Sequence, residues 1–253
     1  MSGYSLYALF TEAFGRNLNQ LLATVLTCYI LDTVFYYIRF KELRFTLGGA
    51  VSGLGLFFLF DSAYLWMYFL VAFVTILVKH LFTYKDRHIF NPTSFSLLVV
   101  CFAFQDICTF HSMRWDGQLF FSILFFVLGT ALTVYAKRWI VAVSFMCFFI
   151  IFAYLKSMFL PVPFAIMLLP ILGPGLHLYS FFMITDPQTS PIKPKEQIVF
   201  AFFVALIDTF FRYQQVRFAQ LISLCVVCMT FTLIAYLKNQ QTLKKNDILQ
   251  LSA

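Results

Sequence analysis

The sequence predicts an all-α integral membrane protein, a polytopic helix bundle of about ten transmembrane helices arranged as two inverted five-helix repeats within one membrane domain, 1–253. Three observations predict it. Hydrophobic residues make up 61% of the chain and charged residues 11%, with a mean hydropathy of +0.85, against about 25% charged in an ordinary soluble domain. The apolar residues fall in runs close to the bilayer-spanning length of about 20 residues, with a range of about 17–25. A third signal is a polar pattern, an Asx residue followed directly by proline, which occurs once in each half as Asn91-Pro92 and Asp186-Pro187.

The composition also excludes several classes. Phe contributes 35 residues and Tyr 13, more than a soluble core of this size can hide but natural for a surface facing lipid and headgroups. The net charge of +7 is therefore loop charge that sets topology, not a nucleic-acid footprint. All six cysteines lie in apolar segments. Cys225-Val226-Val227-Cys228 has the spacing of a metal or redox pair but no loop setting and no further ligands, so the cysteines read as small packing residues.

Taken in order, the first apolar run begins near Leu21, after a stretch carrying Glu12 and Arg16. It is too long for a signal-peptide core and has no small-residue cleavage site behind it, so it is expected to be a retained helix, with no soluble domain before the first span or after the last. Expected spans are 21–38, 46–60, 63–78, 93–110, 119–136, 139–155, 197–211 and 218–236. The region 158–184 is long for one span and short for two, and Pro161, Pro163, Pro170 and Gly173-Pro174-Gly175 interrupt it. Divided into 158–172 and 175–184 it gives ten helices; kept whole it gives nine. With ten, the basic residues divide almost evenly between the two faces; with nine they concentrate on one, as the positive-inside rule prefers, with the C-terminus cytoplasmic. Pro and Gly at membrane depth are tolerated where neighbours or a polar cavity satisfy the freed backbone, so this region is also where a binding cavity is expected.

Halving the chain near Lys137-Arg138 leaves pseudo-repeats of about 20–136 and 139–236, each with an Asx-Pro dipeptide before its fourth helix. An odd number of spans inverts the second half relative to the first, the arrangement in which helix ends from both halves form a site near the midplane. In Arg87-His88-Ile89-Phe90-Asn91-Pro92-Thr93-Ser94 and in Thr185-Asp186-Pro187-Gln188-Thr189-Ser190 the dipeptide reads as a helix start. The Asx side chain caps the first N–H groups, and proline takes the first position, where its missing donor costs nothing. Such an N-terminus can receive ligand oxygens. Plain topology, two helices that need starting signals, accounts for the same residues.

Ionisable residues inside lipid cost about 2.5–3.5 kcal/mol on insertion scales and are functional candidates by default. Asp32, Asp61, Asp106, Asp208 and His177 are the candidates, Asp61 and Asp106 lying near helix ends. Asp208 has Arg212 four residues on, and an internal ion pair explains both without a ligand. Asp32 has no basic residue near it until Arg39, and a structural hydrogen bond and a role in an ion pathway both fit it. The run Lys79, His80, Lys85, Arg87 reads as a solvated helix end. His80, His88, His111 and His177 have no metal-ligand or haem spacing, and neither a Walker loop, G-x-G-x-x-G nor G-x-S-x-G occurs.

The two anchor stretches carry a family resemblance. Lys79-His80-Leu81-Phe82 leading to His88-Ile89-Phe90-Asn91-Pro92, then Thr185-Asp186-Pro187-Gln188-Thr189-Ser190-Pro191 and the stretch from Phe202 to Arg212, resemble the RnfD/NqrB family. These are the membrane subunits of the Rnf complex and of the sodium-translocating NADH:quinone oxidoreductase. The likeness covers roughly residues 70–236, and the first two helices match only in hydropathy. It implies ten helices in two related halves, which is why ten is preferred over nine. It also implies a non-covalent riboflavin within the helices and a covalent FMN on the threonine of a Ser-Gly-Ala-Thr motif.

Here Asp116-Gly117 is followed by Gln118-Leu119-Phe120-Phe121-Ser122, with no threonine among small residues. Covalent FMN is not expected, because a Phe pair cannot reproduce the close approach that glycine and alanine permit. Asn91 matches the family asparagine near the isoalloxazine and Asp186 the aspartate of the second start, while His88 stands where the family varies. A flavin ring wants donors at its carbonyls, an acceptor at N3–H and apolar walls. Asn91, Asp186, Phe90 and the neighbouring Pro92, Pro187 and His88 form the expected cofactor site, with Asp32 and Asp208 as ion-pathway residues.

The resemblance thus implies a membrane subunit of a flavin-dependent electron-transport complex in the bacterial inner (cytoplasmic) membrane, coupling electron transfer to cation translocation. Its expected partners are lipids and other membrane subunits. Two alternatives remain: a solute transporter or channel on the same scaffold, and a membrane accessory protein of a biosynthetic pathway.

Overall fold

A computed structural model describes residues 18–43, 47–85, 87–110 and 119–251. The N-terminal stretch with Glu12 and Arg16, His111, and the Asp116-Gly117-Gln118 segment lie outside the described residues. In chain order the elements are α1 Leu18–Phe40, α2 Leu47–Leu59, β1 Phe60–Ser62, α3 Leu65–Leu81, β2 Thr83–Tyr84, β3 Arg87–His88, α4 Pro92–Ala103, β4 Cys108–Phe110, α5 Leu119–Tyr135, α6 Trp139–Phe159, α7 Phe164–Leu172, α8 Pro174–Leu178, a π-helical turn Tyr179–Met183, α9 Pro194–Tyr213 and α10 Ala219–Leu251.

Ten α-helices therefore form among the described residues. Three are long and apolar enough to cross a membrane: α1, α6 and the part Ala219–Thr242 of α10. A fourth crossing is available if α7 and the segment Pro174–Met183, bent 65° apart, act as one broken span. The remaining apolar helices, α2, α3, α4 and Ser122–Tyr135 of α5, are shorter. At 1.5 Å per residue, the 12 residues of α4 rise only about 18 Å against a hydrocarbon core of about 30 Å. Leu22, Leu26, Ile30, Phe73, Val143 and Ile151 all point outward, an apolar exterior that marks an integral membrane protein.

The chain divides into two compact units. The first comprises Met1–Leu81 with Pro92–Trp115. In it α1 packs against α2 and α3, and α3 against α4. The α1–α2 contact is close because α2 presents Gly49 and Gly53. A Cβ at Gly49 would sit 2.7 Å from the Cys28 carbonyl oxygen, and one at Gly53 2.6 Å from the Cα of Val25. Spacing of small residues by four is the pattern that lets membrane helices approach backbone to backbone. Thr75 and Ser96 join their hydroxyls at 2.5 Å between α3 and α4, and each also bonds a carbonyl of its own helix, Val71 and Thr93 respectively, so that both buried polar groups are satisfied.

The expected span 93–110 is corrected here: the helix stops at Ala103, and the chain turns through 104–107 into β4. That strand pairs antiparallel with β1, Asp61 opposite Thr109 and Ser62 opposite Cys108. The turn is closed by Phe104, whose carbonyl accepts from the N–H groups of Ile107 and Cys108. The polar residues Gln105 and Asp106 favour such a turn over continued helix.

The second unit comprises Phe82–Asn91 with Asp116–Ala253. Here β2 and β3 form a hairpin, Thr83 opposite His88 and Tyr84 opposite Arg87, extended by Ile89 N–H donating to the Phe82 carbonyl at 2.9 Å. The Nζ of Lys85 donates to Asn239 at 2.6 Å, docking the hairpin on α10. Helix α6 packs on α9, α9 on α10, and α5 on α8. The 158–184 region resolves into the end of α6, the Pro-interrupted α7, and α8 with its π turn. Gly173 lies between α7 and α8 in an extended conformation, φ −82° and ψ 139°, which breaks the helix direction.

Of the two expected helix starts, Asn91-Pro92 is one, since α4 begins at Pro92. Asp186-Pro187 is not, and this corrects the sequence reading. The Asp186 carbonyl accepts from the N–H groups of Thr189 and Ser190, a single turn that goes no further. Pro191 and Pro194 explain the arrest: a residue before proline is biased away from helical backbone, and Lys193 is extended at φ −76°, ψ 136°. The helix waits until Pro194, where proline occupies the first turn without loss.

A cross-tied Asx-Pro loop as the candidate functional site

Within the second unit the two anchor stretches meet. The hairpin strand β3 carries Arg87 and His88, and the next residues bring Phe90 and Asn91. Asn91, 7% exposed, donates through Nδ2 to the Met183 carbonyl at 3.3 Å and to Oδ2 of Asp186 at 3.2 Å. The other carboxylate oxygen of Asp186 accepts from the Gln188 N–H at 3.0 Å, an Asx turn that holds the carboxylate in place. Phe90 packs edge-on to Phe82 at 6.0 Å between ring centroids.

Arg87 ties the loop from outside. Its Nη2 donates to the carbonyls of Pro187 at 3.1 Å and Ser190 at 2.5 Å, and its Nε to that of Gln188 at 3.3 Å. The planar fork of the guanidinium suits this multidentate grip. Behind the loop, Arg138, 7% exposed, donates through Nε to the Ser190 hydroxyl at 3.0 Å, which donates in turn to the Asp186 carbonyl at 2.8 Å. Gln197 closes the far side with bonds to the carbonyls of Ile192 and Lys137. Burial lowers the pKa of Arg138, the Arg87 charge adds to that, and Asp186 opposes it. An arginine starts so high that it stays charged at any physiological pH.

The arrangement is one carboxylate and two guanidiniums around a backbone turn. Asn91 and Asp186 touch, Pro187 takes part through its carbonyl, His88 is half-buried beside Arg87, and Pro92 opens the adjoining helix. Arg87, Arg138, Ser190 and Gln197 are additions that sequence reasoning did not single out. Arg87 reads there as part of a solvated helix end and Arg138 as loop charge, and nothing local marks an arginine that will address backbone carbonyls.

A flavin is the group expected at this place. The imide edge of a flavin, two carbonyls flanking an N–H, pairs with a carboxamide donor and a carboxylate acceptor side by side. Asn91 and Asp186 are such a pair, and in the fold they bond each other. Their chemistry fits the imide edge through exchange of that mutual bond. Just past Asp116-Gly117, where covalent FMN is not expected, the buried Ser122 hydroxyl donates to the Leu172 carbonyl at 2.7 Å.

The two ion-pathway candidates lie elsewhere. Asp32, 1% exposed, belongs to the first unit and holds Lys79 Nζ and His80 Nε2, each at 2.8 Å. Asp208, fully buried, holds Arg212 Nε at 2.8 Å along α9, and its Oδ1 has no hydrogen-bond partner. Nearby a cavity of about 170 Å³ opens among Phe149, Ala153, Lys156, Ile166, Thr209 and Arg212.

The family model described as the NQR2, RnfD, RnfE family matches residues 115–243, just over half of the chain. None of the curated proteins matches it.

Proposed function

The chain belongs to the NQR2, RnfD, RnfE family, and from that premise we propose that it is a membrane subunit of an Rnf- or Nqr-type electron-transport complex that uses a non-covalent flavin and couples electron transfer to cation movement. The observation that carries the reading is the Asn91–Asp186 contact at 3.2 Å, a carboxamide and a carboxylate held side by side by an arginine-tied loop. When bound, a flavin supplies one- and two-electron transfer. The chain's own residues do the rest. Asn91 and Asp186 read the imide edge, Phe90 and Phe82 supply apolar wall, and Arg87 and Arg138 hold the loop still so that recognition costs little ordering. Positive charge from the two arginines also favours an electron-rich, reduced ring.

The same reading takes riboflavin as the flavin, no covalent FMN, ten membrane passages in two inverted repeats, other membrane subunits as partners, and the bacterial inner membrane as the site. It is tested by the visible absorption spectrum of the detergent-purified protein. A flavin band is expected in the wild type and its loss in Asn91→Ala and Asp186→Ala. A folded, colourless wild type with no flavin by mass spectrometry overturns the reading; flavin retained in both variants moves the site elsewhere.

A second reading, a solute transporter on the same scaffold, is favoured by the cavity beside Lys156 and Arg212. Two cations at its wall suit an anionic solute. Thermal stabilisation by small carboxylates, in protein free of flavin, selects it.

A further inference from the structure

The cavity of about 170 Å³ in the second unit is walled by α6, α7 and α9, and its walls are of two kinds. Phe149 and Ala153 of α6 with Ile166 and Pro170 of α7 make an apolar wall, while Lys156, Thr209 and Arg212 bring polar side chains. The helices sort the two kinds by depth. Lys156 lies in the last turn of α6 and Arg212 in the last turn of α9; Phe149 lies further back along α6, by about 10 Å at 1.5 Å per residue. Since α6 is long and apolar enough to cross a membrane, the ionic end of the cavity sits at the end of a span and the apolar end at membrane depth. A cation in a last helical turn has a use of its own against the helix dipole. That use does not account for two of them, from two helices, converging on one space. Arg212 is fixed there by the fully buried Asp208, which accepts from its Nε at 2.8 Å, and its two Nη groups have no bond among the described residues. Neither Lys156 nor the Thr209 hydroxyl has a hydrogen bond or ion pair among them. Asp208 cancels one of the two positive charges, and the cavity keeps one.

We propose that this cavity is a binding site for an anionic phospholipid, with the headgroup phosphate held by Lys156, Thr209 and Arg212 and an acyl chain laid along the apolar wall. Each part of the lipid meets the chemistry it needs. A phosphodiester carries a single negative charge, which matches the charge that Asp208 leaves, and its oxygens accept from an ammonium, a guanidinium edge and a hydroxyl. A zwitterionic lipid brings a cation of its own to the same place and is repelled. A small free anion uses the donors but leaves the apolar wall unused. The volume is small beside the roughly 300–1,000 Å³ of a pocket that encloses a drug-sized ligand, so the cavity takes the headgroup end alone. The rest of the chains lies on the outer surface of the same three helices, where Leu155, Leu169 and Phe210 are exposed. Helix α7 has no buried residue, and a lipid lodged beside it supplies part of the cover it lacks. The proposal gives a lipid the cavity that favours the transporter reading, and it does not depend on a bound flavin.

The test is native mass spectrometry of the full chain, delipidated in detergent and titrated with phosphatidylglycerol or phosphatidylcholine. The first phosphatidylglycerol is expected to bind the wild type about fivefold or more tightly than the first phosphatidylcholine, the share of one cation near an anionic headgroup. Lys156→Gln abolishes that preference. Lys156→Arg, which keeps the charge, retains it, and so does Lys238→Gln, which removes an exposed lysine on α10. Equal binding of the two lipids by the wild type overturns the proposal, as does a preference that survives in Lys156→Gln or is lost equally in Lys238→Gln. A second measurement separates a lipid from a free anion. Inorganic phosphate or a small carboxylate, added without lipid, is expected to leave the unfolding temperature unchanged; a rise in the wild type that is absent in Lys156→Gln assigns the cavity to a free anion and overturns the lipid site in favour of the transporter reading. Flavin content enters neither readout, so a colourless protein that prefers phosphatidylglycerol removes the electron-transport reading and leaves the lipid site standing.

Discussion

Replacing Gly49 by alanine adds one methyl group where α1 and α2 approach closely in the first unit. That methyl would stand 2.7 Å from the Cys28 carbonyl oxygen, 2.8 Å from the Asp32 Cβ and 3.2 Å from Asp32 Oδ2. The first of these is backbone and cannot rotate away, so α1 and α2 must separate. Overpacking of this kind costs about 1–3 kcal/mol, while exchanging glycine for alanine within a helix returns about 1 kcal/mol. Gly55 on the same helix is the matched control: its added methyl would meet only the Thr93 side chain, at 3.7 Å, an ordinary contact. The propensity gain is common to both, so Gly49→Ala is expected to be less stable than Gly55→Ala by about 1–3 kcal/mol. Both can be followed by thermal or denaturant unfolding of the detergent-solubilised protein. Equal stability of the two variants, or greater stability of Gly49→Ala, refutes the close approach of α1 and α2.

Three further outcomes follow from the second unit. Arg212→Met leaves the fully buried Asp208 without its cation and is expected to cost about 3–5 kcal/mol, most of it recovered in the double variant Asp208→Leu/Arg212→Met; additive losses in the unfolding cycle contradict the pairing. Arg87→Met removes three bonds to the loop carbonyls and is expected to cost about 1–3 kcal/mol, with faster amide exchange at Thr189 and Ser190 as the local signature. Asn91→Asp sets a second carboxylate against Asp186 and the Met183 carbonyl, at about 1–3 kcal/mol relative to wild type at neutral pH. Like charge raises the pKa of the pair above its unfolded value, so this variant recovers stability as pH falls and loses it as pH rises; a pH-independent deficit would show that the two side chains do not face each other.

Local patterns proved readable where the interaction itself is local. The Asp208–Arg212 pair follows from a spacing of four on one helix, and α4 starts at Pro92, the position the Asn91-Pro92 dipeptide marks. The identical grammar at Asp186-Pro187 misleads because proline spacing downstream, at 191 and 194, overrides the cap. Asp32 looked isolated in its own helix, since its partners stand 47 and 48 residues away on another. No window of sequence shows that. Hydropathy located nearly every helix but not its end. Ile107, Cys108 and Phe110 carry the expected span on to Phe110, although Gln105 and Asp106 favour a turn, and the pairing of β4 with β1 shows that the backbone turns there. The ambiguous 158–184 region was ambiguous for a physical reason: a helix broken at Gly173 and bent by 65° is neither one regular span nor two.

The grip of Arg87 on the loop has a consequence for how that loop can change. Its three bonds go to the carbonyls of Pro187, Gln188 and Ser190, groups that every amino acid possesses. The side chains of Pro187 and Gln188 point outward and are exposed. The outer face of the turn is therefore insulated from the bonds that hold it. Residue 188 can be exchanged for almost any other without loosening the loop, so the scaffold keeps its shape while its exterior remains open to respecification.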